Sequence, residues 1–100
     1  MFGLYEKSYK LLMEYFFSKK EIDEVRIYGS RAMGTERPGS DVDFAIFTNV
    51  DRNMMGEIKA DLEELQTPYL YDVTDMKFLS YLPMRGHIER VGKVFYRRDR

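Results

Sequence analysis

Two carboxylates one residue apart, Asp41 and Asp43, follow a Gly29-Ser30 pair after ten intervening residues. In extended backbone successive side chains alternate, so Asp41 and Asp43 project from the same side of their strand. Two anions side by side repel each other, and burying them unpaired is costly. A divalent cation removes both difficulties, because carboxylate oxygens are the ligands that magnesium prefers. The Gly-Ser pair offers complementary chemistry. A strand that ends in Gly-Ser and runs into a helical turn exposes backbone N–H groups, and the small side chains let a phosphate approach. One end of the stretch suits phosphates and the other suits the metal that phosphates need.

These residues need elements to position them. Val25 to Tyr28 is β-branched and aromatic and reads as a strand, and Asp41 to Phe47 reads as a second one. Between them Gly34 to Ser40, with Pro38 and Gly39, makes a turn. Ser40 suits a backbone hydrogen bond that fixes this turn. Ser30 can cap the short helix after the first strand, a geometry shared with phosphate binding. Arg31 and Arg37 stand where a guanidinium could engage a triphosphate in bidentate fashion, or simply stay solvated.

The rest of the chain supplies a scaffold. Residues 2 to 19 read as a helix, with Tyr5, Tyr9, Leu12 and Phe16 on one face. Phe2, Met13 and Phe17 make that face wider than one sheet requires, which leaves two readings: ordinary core, or contact with another subunit, including a second copy. Met55, Ile58, Leu62 and Leu65 mark the buried side of a further helix, capped by Asp51 or Asn53 and ended by Pro68. Tyr69 to Met76 reads as a third strand, with Leu70, Asp72 and Thr74 on one side. Met84, Ile88 and Val91 have helical spacing, with Pro83 in the first turn and Gly92 as the stop. Lys93 to Arg97 reads as a last strand. The expected architecture is α/β (α+β), a small mixed sheet of three to four strands with helices on one face, in a single domain over residues 1–100.

Sixteen basic and seventeen acidic side chains give a net charge of -1. That balance argues against a protein that mainly coats nucleic acid or an anionic membrane. There is no cysteine, which excludes disulfides and thiolate metal sites. With no apolar run of membrane length and no leader-like start, a cytoplasmic protein is expected. His87 and the arginines Arg97, Arg98 and Arg100 read as surface residues.

The motifs Gly29-Ser30-Arg31-Ala32-x-Gly34 and Ser40-Asp41-Val42-Asp43-Phe44 resemble those of the DNA polymerase β-like nucleotidyltransferases, most closely the minimal, MNT-type members. The resemblance runs from about residue 22 to residue 96. It implies the nucleotidyltransferase fold and transfer of a nucleoside monophosphate, AMP from ATP first among the options, to an acceptor hydroxyl. It implies two magnesium ions on Asp41 and Asp43, with the triphosphate at Gly29, Ser30, Arg31 and Arg37. A third acid is wanted. Asp72 lies in a strand able to pair beside Asp43, and Tyr71 to Met76 is similar to the family's third-acid segment, which leaves Asp75 outside the site. Larger members carry a helical acceptor domain that is not evident here. Minimal members pair with a small helical HEPN-family toxin that they AMPylate as antitoxins. A module that neutralises its partner by occlusion, and a modifier of small molecules of the antibiotic type, are the alternatives.

Overall fold

A computed structural model describes residues 1–99. The elements run α1 (Glu6–Ser18), β1 (Ile22–Tyr28), α2 (Ser30–Met33), β2 (Val42–Thr48), α3 (Met55–Glu64), β3 (Tyr71–Asp75), α4 (Leu82–Val91) and β4 (Lys93–Arg97). The four strands form one mixed sheet in the order β3-β2-β1-β4. β1 is antiparallel to both β2 and β4, whereas β2 and β3 run parallel. A parallel pair needs a crossover, and α3 supplies it. Met55 N–H donates to Asn53 Oδ1 at the start of α3, so Asn53 rather than Asp51 serves that end.

Alternation along β1 and β2 divides the core between the two faces of the sheet. Val25, Ile27, Val42, Phe44 and Ile46 are fully buried against Leu12 and Phe16 of α1 and Ile58 and Leu62 of α3. Phe16 meets Phe44 edge-on at 5.3 Å and Phe95 at 6.0 Å between ring centroids. The residues between them, Tyr28 and Ala45, form a second cluster with Met76 and with Ile88 of α4. The mixed sheet with helices is as expected, but α4 lies on the face opposite α1 and α3. The apolar spacing of α4 shows that one side is buried and carries no information about which face of the sheet receives it.

The first helix begins later than its periodicity suggested. Phe2 and Gly3 have positive φ (59° and 71°), and Tyr5 is extended. The first residues form an arm that leaves the helical path, yet Phe2 still reaches the core, with its ring 5.8 Å from that of Phe95. The wide apolar face is only partly core. Leu12 and Phe16 are buried, Tyr9, Met13 and Tyr15 pack at the margin, and Phe17 is 72% exposed.

Of the terminal arginines, Arg100 lies outside the described residues, Arg97 pairs with Glu24, and Arg98 is not simply solvated. Its guanidinium donates to the carbonyls of Phe16 and Lys19 at the end of α1 (3.2 and 2.8 Å) and to Ile22 O at 3.0 Å. A cation there satisfies the orphan carbonyls of a helix C-terminus and complements its dipole. Arg98→Met keeps the aliphatic stem and loses these bonds. The expected cost is about 1–2 kcal/mol, read by thermal denaturation as a Tm about 5–15 °C lower.

Candidate active site

The strand register brings the acids into one row. Asp43 of β2 faces Tyr28 across the antiparallel pair and Asp72 across the parallel pair. Asp41 stands just before β2, exposed, and close enough for its charge to act on Asp43. Burial, followed by the charges of Asp72 and then Asp41, pushes the Asp43 carboxyl above its ordinary range, and Arg31 draws it partly back. Among the described residues, no lysine or arginine forms an ion pair with any of the three acids.

Gly29 closes the row from the β1 side. Its backbone has φ 75° and ψ −155°, and a Cβ built there would collide with Asp43 Oδ2. Only glycine fits a carboxylate pressed so closely against the main chain. Gly29 is also the N-cap of α2, so Ser30 stands at the first helical position rather than at the cap. The alternative reading of Ser30 as the helix cap therefore falls to Gly29. Ser40 Oγ accepts the Arg37 N–H at 2.8 Å and so fixes the turn before the acids, as its position suggested.

The two candidate arginines part company. Arg37 is exposed on the loop. Arg31 is only 4% exposed, and its guanidinium donates to Phe2 O at 3.1 Å and Ser40 O at 3.0 Å while lying 4.9 Å from the centre of the Tyr69 ring. Both line a cleft of about 420 Å³ with Gly3, Tyr5, Glu36 and Tyr69, but none of the three acids lines it. The carboxylates sit instead on an open rim of the sheet.

Three residues beside the acids escaped the sequence reading. Tyr28 reaches across the small Ala45 and shares a hydrogen bond of 3.0 Å with Thr74 Oγ1. Its hydroxyl is pushed above the ordinary phenol range, first by burial and further by Asp72 and Asp43. His87 of α4 is half-buried, its ring edge-on to Tyr28 at 6.4 Å, rather than a free surface residue. The Thr74 hydroxyl on the Asp72 side of β3 was the one signal available, and it becomes informative only once the register is known. Asp75 lies outside the row, its Oδ1 accepting the Lys77 N–H.

Chemically, a row of acids that forms no ion pairs among the described residues suits a hard divalent cation. Among the described residues, no three carboxylate or imidazole groups stand close enough to cage an ion by themselves. Magnesium is ordinarily held by one or two carboxylates together with substrate phosphates rather than by an all-protein cage, so an open arrangement fits that ion when it arrives with a nucleotide. No helix among the described residues is long and apolar enough to cross a membrane.

Comparison with known proteins bears on the fold and the family. No curated protein sequence matches the chain. Its fold resembles a chain of the crystal structure of a toxin–antitoxin with AMP-PNP, at a TM-score of 0.66 and 14% identity, covering 91% of this chain and 74% of that one. It also resembles a chain of the tri-AMPylated Shewanella oneidensis HEPN toxin in complex with MNT antitoxin, at a TM-score of 0.65 and 14% identity, covering 93% and 72% of the two chains. A putative nucleotidyltransferase from Sulfolobus solfataricus aligns at a TM-score of 0.55 and 23% identity, covering 91% and 78%. The profile of the family described as polymerase beta, nucleotidyltransferase matches residues 10–100. That match spans nearly the whole chain, and the chain belongs to the polymerase β nucleotidyltransferase family.

Proposed function

We propose that this chain is a single-domain, magnesium-dependent nucleotidyltransferase that moves a nucleoside monophosphate, AMP from ATP, onto an acceptor hydroxyl of a HEPN-type helical partner, and so acts as an antitoxin in the cytoplasm. The observation that carries the reading is the seat of Asp43, pressed against Gly29 and flanked by Asp72, with no ion pair to any of the three acids among the described residues. Asp41 and Asp43 would hold both ions and Asp72 would complete the site nearer the acceptor. Bound there, magnesium supplies charge neutralisation on the phosphates and on the entering and leaving oxygens. The acceptor oxygen bonds to the α-phosphorus, the bond to the bridging oxygen breaks, and pyrophosphate leaves. Asp72, exposed at the end of the row, would take the acceptor's proton. Gly29 and Ser30 face the phosphates through main chain and hydroxyl, and Arg37 can reach them from the loop. Arg31 contributes from beneath, as a buried positive charge that acts on Asp43.

The partner assignment is supported by two structural neighbours, one from a toxin–antitoxin with AMP-PNP and the other from an AMPylated HEPN toxin with its MNT antitoxin. Exposed Phe17 on α1 leaves apolar surface for a partner or a second copy. The test is incubation with α-phosphate-labelled ATP, magnesium and a HEPN protein encoded beside it. Label on the partner and release of pyrophosphate are expected. Neutralisation of the partner without label would replace this reading by occlusion, and label on a small molecule alone would replace it by modification of the antibiotic type.

A further inference from the structure

We propose that Arg31 is a positioning residue that sets the acid row from below, rather than a ligand of the triphosphate. The proposal rests on the nucleotidyltransferase reading for its consequence, though not for its geometry.

A guanidinium withdrawn from water normally finds a carboxylate, because an unpaired buried charge is expensive. Arg31 is almost fully buried, yet among the described residues it has no ion-pair partner. Two main-chain carbonyls and an aromatic face take that place, and its Nε is left without a partner. These contacts come from segments far apart in sequence. Ser40, whose carbonyl accepts from Nη2, immediately precedes Asp41. Tyr69, under the guanidinium, lies three residues before Asp72. Leu70 O accepts the Val42 N–H and opens the parallel ladder that places Asp72 beside Asp43. One side chain therefore touches the entrance of both acid-bearing strands, from a helix that begins one residue after Gly29.

The third contact is with the N-terminal arm. Phe2 adopts a left-handed backbone conformation, uncommon for an aromatic residue, and offers its carbonyl to Nη1. At Gly3, also left-handed, a Cβ would stand 3.0 Å from Glu36 Cδ and 3.1 Å from Arg31 Nη1. The arm is shaped to close over the guanidinium. To reach a triphosphate, Arg31 would have to abandon Phe2 O, Ser40 O and Tyr69 together, which would loosen the strands that hold the metal ligands.

The experiment pairs Arg31→Lys and Tyr69→Leu with wild type in two measurements, well below each protein's Tm. The first is amide hydrogen exchange in the metal-free protein. Both variants should exchange about 10- to 100-fold faster at Asp41 to Phe44 and Tyr71 to Val73, while the β1–β4 ladder is unchanged. The second is ATP titration with and without magnesium. Magnesium-dependent affinity should fall about tenfold or more in both Arg31→Lys and Tyr69→Leu, as expected when ligands are misplaced by a fraction of an ångström. Unchanged exchange at both strand entrances, or loss of magnesium-dependent ATP affinity in Arg31→Lys with Tyr69→Leu unaffected, would overturn the proposal. Should wild type bind no ATP at all, the nucleotidyltransferase reading fails and the exchange pattern alone decides the positioning role.

Discussion

Replacing Asp41 and Asp43 together by Asn is expected to abolish nucleotidyl transfer while making the metal-free protein more stable. The two effects share one cause. The fold holds Asp43 partly buried, with Asp72 and Asp41 acting on it as like charges, and its carboxyl is raised above the ordinary value of 3.8. The folded protein therefore binds that proton more tightly than the unfolded chain does. Stability from this group is greatest at low pH and is lost as pH rises through the raised pKa, so at neutral pH the site carries its full electrostatic strain. Asn keeps the shape and removes the charge. Thermal unfolding at neutral pH should show the double variant about 2–5 °C above wild type, given the usual slope for a domain of this size. The gap should narrow as pH is lowered toward the ordinary carboxylate range. Magnesium with ATP should raise the Tm of wild type only, by ligand linkage. Transfer should fall by about 10³-fold or more, since the ligands of the transition-state charge are gone. A double variant that is less stable than wild type at neutral pH and still responds to magnesium with ATP would contradict this account of the acid row.

Gly29→Ala should be nearly as damaging to function and far more damaging to stability. The backbone there (φ 75°, ψ −155°) belongs to a region that side chains scarcely enter, and the new methyl would meet Asp43 Oδ2. The combined cost is about 2–3 kcal/mol, a fall in Tm of about 10–20 °C. Below that Tm, magnesium-dependent ATP binding should be lost, because the carboxylate is driven from its seat. Gly34→Ala provides the comparison. Gly34 also has positive φ, but nothing lies within 4 Å of an added Cβ. It should cost about 1 kcal/mol and leave binding intact. Equal effects of the two substitutions on binding would separate the Asp43 seat from nucleotide recognition.

Much of the site was legible because alternation along a strand is a strong local rule. It placed Asp41 and Asp43 on one side and Asp72 with Thr74, and the register then set Asp72 beside Asp43. The last strand, Lys93–Arg97, appears with the expected bounds, since Gly92 and the charged ends isolate its apolar centre. What sequence could not convey was direction. Arg31 and Arg98 look like any exposed cations until the carbonyls that receive them are known, and those carbonyls come from segments distant in the chain. The start of α1 was misplaced for a related reason: Phe2 keeps the helical spacing of apolar residues but reaches the core from an arm bent by left-handed Phe2 and Gly3. His87 gave no signal of its position, because the apolar spacing of α4 does not say which face of the sheet it covers, and only the packing of Ile88 with Tyr28 and Ala45 reveals it.

The central claim is that the acid row and the Gly-Ser turn together bind a magnesium nucleoside triphosphate. Titration calorimetry of ATP, with and without magnesium, on wild type and on Asp41→Asn/Asp43→Asn tests it most directly. Binding that requires magnesium and vanishes in the folded double variant is the expected result. Binding that survives both the removal of magnesium and the loss of the two aspartates would contradict it.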